Sequence, residues 1–304
     1  MSIVWKGIMP AVTTKFDAND NLDLDMFNVN IKAQLDAGVE GIILGGTLGE
    51  ASTLTKGEKS TLVKETVAFV DGKVPTIINI AEQTTKDAIG AAHTAEKDGA
   101  QGLMLLPPMR YKADDRETTT YFKEIAKNTS LPIMLYNNPV DYGILITLDM
   151  LEELTVCKNI QAVKESTRDI SNITRMRTRF GNRYRVFTGV DTLGLESILM
   201  GADGWVAGLV CAFPRETVAI YKLAQAGRIE EARAIYSWFL PILELDISSK
   251  LVQNIKLAEV KTKIGTENVR APRLPLIGAE RENVLAILEE GLKNRPELPN
   301  YLSL

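Results

Sequence analysis

Three times in this chain a helical run passes into a strand-like run through one joint. The joints are Gly38-Val39-Glu40-Gly41, Gly99-Ala100-Gln101-Gly102 and Gly201-Ala202-Asp203-Gly204. The first glycine suits a left-handed helix C-cap, and the second allows tight entry into a strand. A recurring joint of this kind makes the βα unit the building block of the chain.

The runs around the joints agree. Strands are expected over residues 7–14, 41–45, 76–80, 102–106, 132–136, 160–164, 185–189 and 204–208. Most are unbroken apolar runs, which fits strands buried on both faces. Helices are expected between and after them, over 24–37, 55–70, 84–98, 116–128, 148–154, 170–180, 193–200 and 214–226. Eight such units close into a (β/α)₈ TIM barrel. A doubly wound open sheet needs a glycine-rich turn after the first strand, and Ala11-Val12-Thr13-Thr14-Lys15 is not one. After Ala226 the pattern changes to helices alone, over 229–245, 248–264 and 280–292. The expected organisation is a barrel domain over 1–226 and a C-terminal α-helical extension over 227–304, packed on the barrel.

Composition excludes several functions. A net charge of −4, with no basic block interleaved with aromatics, argues against a nucleic-acid surface. The longest nearly apolar run, residues 204–213, is too short to span a bilayer, and the N-terminal residues do not read as a signal peptide. Cys157 and Cys211 form neither a disulfide framework nor a metal-ligand spacing, which points to a reducing compartment, the cytoplasm. A single histidine, His93, makes a histidine-based zinc site or a serine triad improbable.

Barrel chemistry sits where strands end and βα loops begin. The sixth strand, Ile160-Gln161-Ala162-Val163-Lys164, ends on a lysine. Such a lysine either closes a strand at the surface or projects into the barrel mouth. In the mouth, desolvation favours the neutral amine, a carbon nucleophile. Lowering a lysine from about 10.4 to ~7–8 takes roughly 4 kcal/mol of differential environment. Tyr136 ends the fifth strand, so neighbouring strands bring it and Lys164 to one rim. Gly45-Gly46-Thr47-Leu48-Gly49-Glu50 follows the second strand, where backbone N–H groups can grip a carboxylate. This set suits imine chemistry. Lysine attacks a keto or imine carbon, the Tyr136 and Thr47 hydroxyls move protons, and the protonated imine serves as electron sink. No metal or organic cofactor is required. Asp191, after the seventh strand, reads equally as a helix N-cap or a substrate ligand. The pair Asp114-Asp115 reads as a solvated turn.

The order Gly-Gly-Thr-x-Gly-Glu, Tyr-Asn-x-Pro and Val-Lys-Glu, on eight βα units plus C-terminal helices, resembles the dihydrodipicolinate synthase / N-acetylneuraminate lyase family over nearly the whole chain. The resemblance implies Lys164 as the imine-forming residue, Tyr136 as the proton-shuttling phenol and Thr47 as its partner. It implies that the Thr47 and Leu48 backbone binds a 2-oxo-acid carboxylate, with Gly189 and Val206 lining the pocket. It also implies a homotetramer built from tight dimers.

Three positions depart from the family pattern. Leu48 stands where many members have a second hydroxyl residue. Met109 lies near the place of a tyrosine that reaches into the neighbouring subunit's site, and Tyr111 is shifted in register from it. Asp141 stands where the synthases carry an arginine for the aldehyde substrate's carboxylate. Several stretches, Tyr136-Asn137-Asn138-Pro139 among them, look most like the branch that deaminates 1-pyrroline-4-hydroxy-2-carboxylate in hydroxyproline breakdown. That substrate, a cyclic imine, has one carboxylate and a hydroxyl, which Asp141 or Asn138 would orient. The competing readings are an aldolase releasing pyruvate from a keto-deoxy sugar acid or sialic acid, the synthase itself, and a non-catalytic binding barrel.

Overall fold

The first glycines of the three joints, Gly38, Gly99 and Gly201, have φ of 88°, 94° and 97°. A side chain is strained in that region, so each joint requires glycine there. The computed structural model describes residues 3–108 and 111–304. Met109, expected near a cross-subunit position, lies outside the described residues.

Eight parallel strands form one sheet: β1 (Gly7–Ile8), β2 (Ile42–Leu44), β3 (Thr76–Ile80), β4 (Gly102–Leu105), β5 (Ile133–Asn137), β6 (Ile160–Glu165), β7 (Arg185–Thr188) and β8 (Gly204–Trp205). The order β1-β8-β7-β6-β5-β4-β3-β2 curls round, and a parallel bridge between Ala11 and Ile43 joins its two ends. The result is the expected (β/α)₈ barrel. The first strand is shorter than expected because the chain changes partner within it. Gly7 and Ile8 pair with β8, whereas the Pro10 carbonyl accepts from Ile43 N–H at 2.9 Å. Pro10 itself has no N–H to continue a ladder.

The helices are α1 (Leu24–Ala37), α2 (Lys56–Val70), α3 (Thr85–Lys97), α4 (Asp115–Lys127), α5 (Pro139–Tyr142), α6 (Leu148–Glu153), α7 (Ser171–Phe180), α8 (Gly194–Leu199) and α9 (Pro214–Gln225). Three more follow: α10 (Ile229–Leu243), α11 (Leu251–Lys261) and α12 (Gly278–Lys293). Capping explains where several begin. Thr55 caps α2 and exchanges hydrogen bonds with Glu58. Asp114 does the same for α4 with Glu117, so Asp114-Asp115 is a helix start rather than a solvated turn. Among the described residues, no helix is long and apolar enough to cross a membrane.

Two differences matter for the site. Residues 139–142 form a one-turn helix, α5, capped by the Asn138 side chain, which accepts from Asp141 N–H at 3.2 Å. Between α10 and α11 the chain runs as a 3₁₀ turn, Glu244–Ile247, then becomes extended at Ser248. This break, inside a stretch whose helices were expected to be separated only at residues 246–247, carries Asp246 over the barrel mouth.

Buried ion pairs tie α11 to the loops at the same rim. Lys256 Nζ lies 2.5 Å from Glu50 Oε1, and Lys15 Nζ lies 3.0 Å from Glu259 Oε1, with all four side chains fully buried. Lys256 also donates to the Asn268 carbonyl at 2.6 Å, and Arg270 N–H donates to Glu50 Oε2 at 3.0 Å. Burial lowers Lys256 to about 8, against the opposing pull of Glu50.

Candidate active site

Register places the central pair. Between β5 and β6, Tyr136 lies opposite Lys164 and Asn137 opposite Glu165. Side chains alternate along a strand, so the two pairs face opposite ways. Outside the barrel, Glu165 accepts from Asn137 Nδ2 at 3.2 Å and Asn172 Nδ2 at 2.7 Å. Asn137 also bonds Ile146 through both ends of its amide, at 3.2 and 2.9 Å, pinning the loop beyond α5. Inside, Lys164 Nζ sits 4.0 Å from the Tyr136 ring centroid. Among the described residues, the ammonium has no hydrogen-bond or ion-pair partner closer than this ring face.

Lys164 is 6% exposed. Burial lowers its pKa from the ordinary lysine value; the Tyr142 phenol and the carboxylates of Asp246, Asp191 and Asp141 pull the other way. Desolvation is the larger effect, which favours the free amine. Tyr136 is pushed up to about 12 by burial, opposed by a 3.2 Å hydrogen bond that Asn138 Nδ2 donates to its hydroxyl. The phenol therefore keeps its proton near neutrality and can give it to a neighbouring base.

The turn after β2 brings its backbone to the same space. Gly45 has φ of 62°, and a Cβ on Gly49 would come within 3.0 Å of Gly45 N, so the chain folds tightly on itself here. Among the described residues, the Thr47 and Leu48 N–H groups donate to no other group, and both residues line the cavity. Two unengaged amides beside a buried lysine leave donors free for an anionic group.

All eight expected site residues border one cavity: Thr47, Leu48, Tyr136, Asn138, Asp141, Lys164, Gly189 and Val206. The hydroxyl pairing differs from expectation. Thr47 Oγ1 lies 2.5 Å from the Tyr142 hydroxyl, not against Tyr136. Tyr142, at the end of α5, packs edge-on against Tyr136 with ring centroids 5.5 Å apart. Asp141 Oδ2 accepts from Asn138 Nδ2 at 2.7 Å, so Asn138 links Asp141 to the Tyr136 hydroxyl.

Asp191 is neither a helix cap nor a pocket ligand. Its buried carboxylate accepts from Trp205 Nε1 at 3.0 Å, Gly208 N–H at 3.0 Å and Leu209 N–H at 2.7 Å, locking the loop after β8. Tyr111 is 56% exposed on a turn. His93 is also exposed, with Nε2 2.8 Å from the Asn128 carbonyl. Sequence reasoning missed Tyr142, Ser166, Arg168 and Asp246 at this site. Ser166 was legible as the second residue after the lysine; its Oγ is buried without a partner among the described residues. Arg168 lines the cavity from a left-handed backbone, φ 66°. Asp246 comes from beyond the barrel repeat, where no local signal reveals it.

A barrel with a lysine buried beside a tyrosine at its mouth fits a lyase of the dihydrodipicolinate synthase type. Residues 4–291 match the dihydrodipicolinate synthetase family, to which this chain belongs. It is 33% identical over 286 residues to 4-hydroxy-tetrahydrodipicolinate synthase of Exiguobacterium sibiricum, covering 94% of this chain and 97% of that one. The corresponding synthase of Bacillus velezensis is 30% identical, covering 93% and 98%. Among solved structures, a dihydrodipicolinate synthase from Bacillus anthracis superposes with a TM-score of 0.91 at 28% identity, covering 97% of this chain and 100% of that one.

Proposed function

We propose that this chain is a Schiff-base-forming deaminase of its family, converting 1-pyrroline-4-hydroxy-2-carboxylate to 2-oxoglutarate semialdehyde and ammonia. The observation that carries the reading is Asp141. It borders the cavity where a synthase needs a cation for a second carboxylate, and Asn138 holds it in place at 2.7 Å. Two like charges ~4 Å apart at an effective dielectric of ~20 repel by roughly 4 kcal/mol. A one-carboxylate substrate avoids that repulsion, and its hydroxyl or nitrogen is a natural donor to Asp141.

In this reading the Thr47 and Leu48 amides hold the carboxylate, and the Lys164 amine adds at C2. The C2–N bond breaks, the ring opens, and Lys164 becomes the iminium nitrogen. Tyr136 carries protons at the reacting carbons, with Thr47 acting through Tyr142. Loss of a C3 proton gives an enamine, whose electron pair expels the C4 hydroxyl. Tautomerisation moves unsaturation to C5, where water releases ammonia, and a second water frees Lys164. The test is incubation with this imine. Stoichiometric ammonia supports the reading, and its absence defeats it. Pyruvate released from keto-deoxy sugar acids would instead mark an aldolase.

The synthase reading is favoured by the names of the relatives and by Arg168, a guanidinium at the cavity that could meet a second carboxylate in place of the missing arginine. Consumption of pyruvate together with a carboxylate-bearing aldehyde would establish it.

A further inference from the structure

The deaminase reading leaves one chemical need unassigned. Hydroxide is a poor leaving group, so the C4 oxygen must receive a proton as its bond breaks. Tyr136 is committed to the carbon side, and the carboxylates of Asp141 and Asp191 are already held by the donors described above.

Asp246 is different. It enters from the 3₁₀ turn Glu244–Ile247 and borders the cavity. Its carboxylate stands over Gly208: a Cβ on that glycine would meet Asp246 Oδ1 at 2.7 Å and Leu48 Cδ1 at 3.0 Å. Glycine at 208 thus leaves the room the carboxylate occupies, beside the turn that grips the substrate. Among the described residues, the Asp246 carboxylate has neither a hydrogen-bond donor nor an ion-pair partner, which sets it apart from Asp141 and Asp191.

Resting on the deaminase reading, we propose that Asp246 is the general acid that protonates the departing C4 hydroxyl. As the C4–O bond breaks, the enamine pair forms the C3=C4 bond and restores the Lys164 iminium. The Asp246 proton goes to the oxygen, water leaves, and Asp246 remains as carboxylate until the proton taken from C3, or one from solvent, restores it. The surroundings favour the acid form. Burial is the largest influence, and Asp191 and Asp141 add to it, while Lys164 and Arg168 oppose.

The test compares the wild-type enzyme with Asp246→Asn and Asp246→Glu on two substrates, the 4-hydroxy imine and its 4-fluoro analogue, whose fluoride leaves without needing a proton. Asp246→Asn should lower ammonia release from the hydroxy substrate by roughly 10²–10³-fold, and flatten the alkaline limb of its pH profile. It should keep borohydride trapping of pyruvate on Lys164 and release fluoride at the wild-type rate; Asp246→Glu should recover part of the lost activity. Equal ammonia release by wild type and Asp246→Asn overturns the assignment, as does parallel loss on both substrates or loss of trapping. Wild-type enzyme that releases no ammonia overturns the deaminase reading itself, a separate outcome.

Discussion

The hydroxyls of Thr47 and Tyr142 lie 2.5 Å apart, so one hydrogen bond ties the turn after β2 to the short helix after β5. Those two segments carry the Thr47 and Leu48 amides and Asp141 to the cavity. Tyr142→Phe removes the bond and leaves the ring packed on Tyr136. A hydrogen bond of this kind is worth about 1 kcal/mol, so the variant should lose about that much in unfolding free energy, and turnover should fall by up to about 5-fold. Steady-state kinetics beside a urea titration checks this. Tyr111→Phe, by contrast, should leave a single protomer's chemistry unchanged, because Tyr111 is exposed and is not among the residues bordering the cavity.

The lowered pKa of Lys164 sets a pH dependence. In the proposed mechanism the reactive species is the neutral amine, so imine formation with pyruvate should rise with pH. Because burial moves the lysine below its ordinary value of 10.5, the midpoint of that rise should lie below 10.5. Tyr136, held up to about 12, stays protonated across the same range. Rates of borohydride-trapped adduct formation between pH 6 and about 11.5 give the midpoint; a midpoint of 10.5 or higher would contradict burial as the dominant influence.

The buried Lys256–Glu50 pair fixes the end of the turn after β2 to α11. Removing one partner leaves the other charge buried, which costs about 3–5 kcal/mol. Lys256→Met should therefore destabilise the fold by about that amount in urea unfolding and weaken binding of 2-oxo acids. The pH dependence has a definite sign. Lys256 titrates at about 8 in the folded protein, below its ordinary 10.5. The folded state thus binds fewer protons than the unfolded one between those values. Through this group stability rises with pH from about 8 to 10.5. In the Lys256→Met variant that rise should disappear.

The barrel was legible because its signal is local and repeated. The first helix falls on residues 24–37 as the apolar spacing predicts, and the joint glycines take the left-handed backbone their position demands. The Tyr136–Lys164 pairing was legible for the same reason, since one βα unit separates adjacent strands. What stayed hidden is tertiary. Residues 139–142 were too short and too proline-led to read as a helix, so Tyr142 was not seen to reach Thr47. Asp246 lies between α10 and α11, in the two-residue gap expected between those helices, where nothing local marks it as a site residue. Only the 3₁₀ break turns it toward Lys164. The ends of β1 and β8 were overextended because closing a barrel makes the first strand change partners, which no single segment reveals.

The central claim is that the Lys164 amine bonds covalently to substrate carbon. The direct measurement is borohydride reduction of the protein with pyruvate and, separately, with 1-pyrroline-4-hydroxy-2-carboxylate, followed by intact mass and peptide mapping. The account predicts one adduct per chain, carried on Lys164 and absent from Lys164→Arg. An unmodified Lys164 under turnover, or an adduct on another lysine with Lys164→Arg fully active, would contradict it.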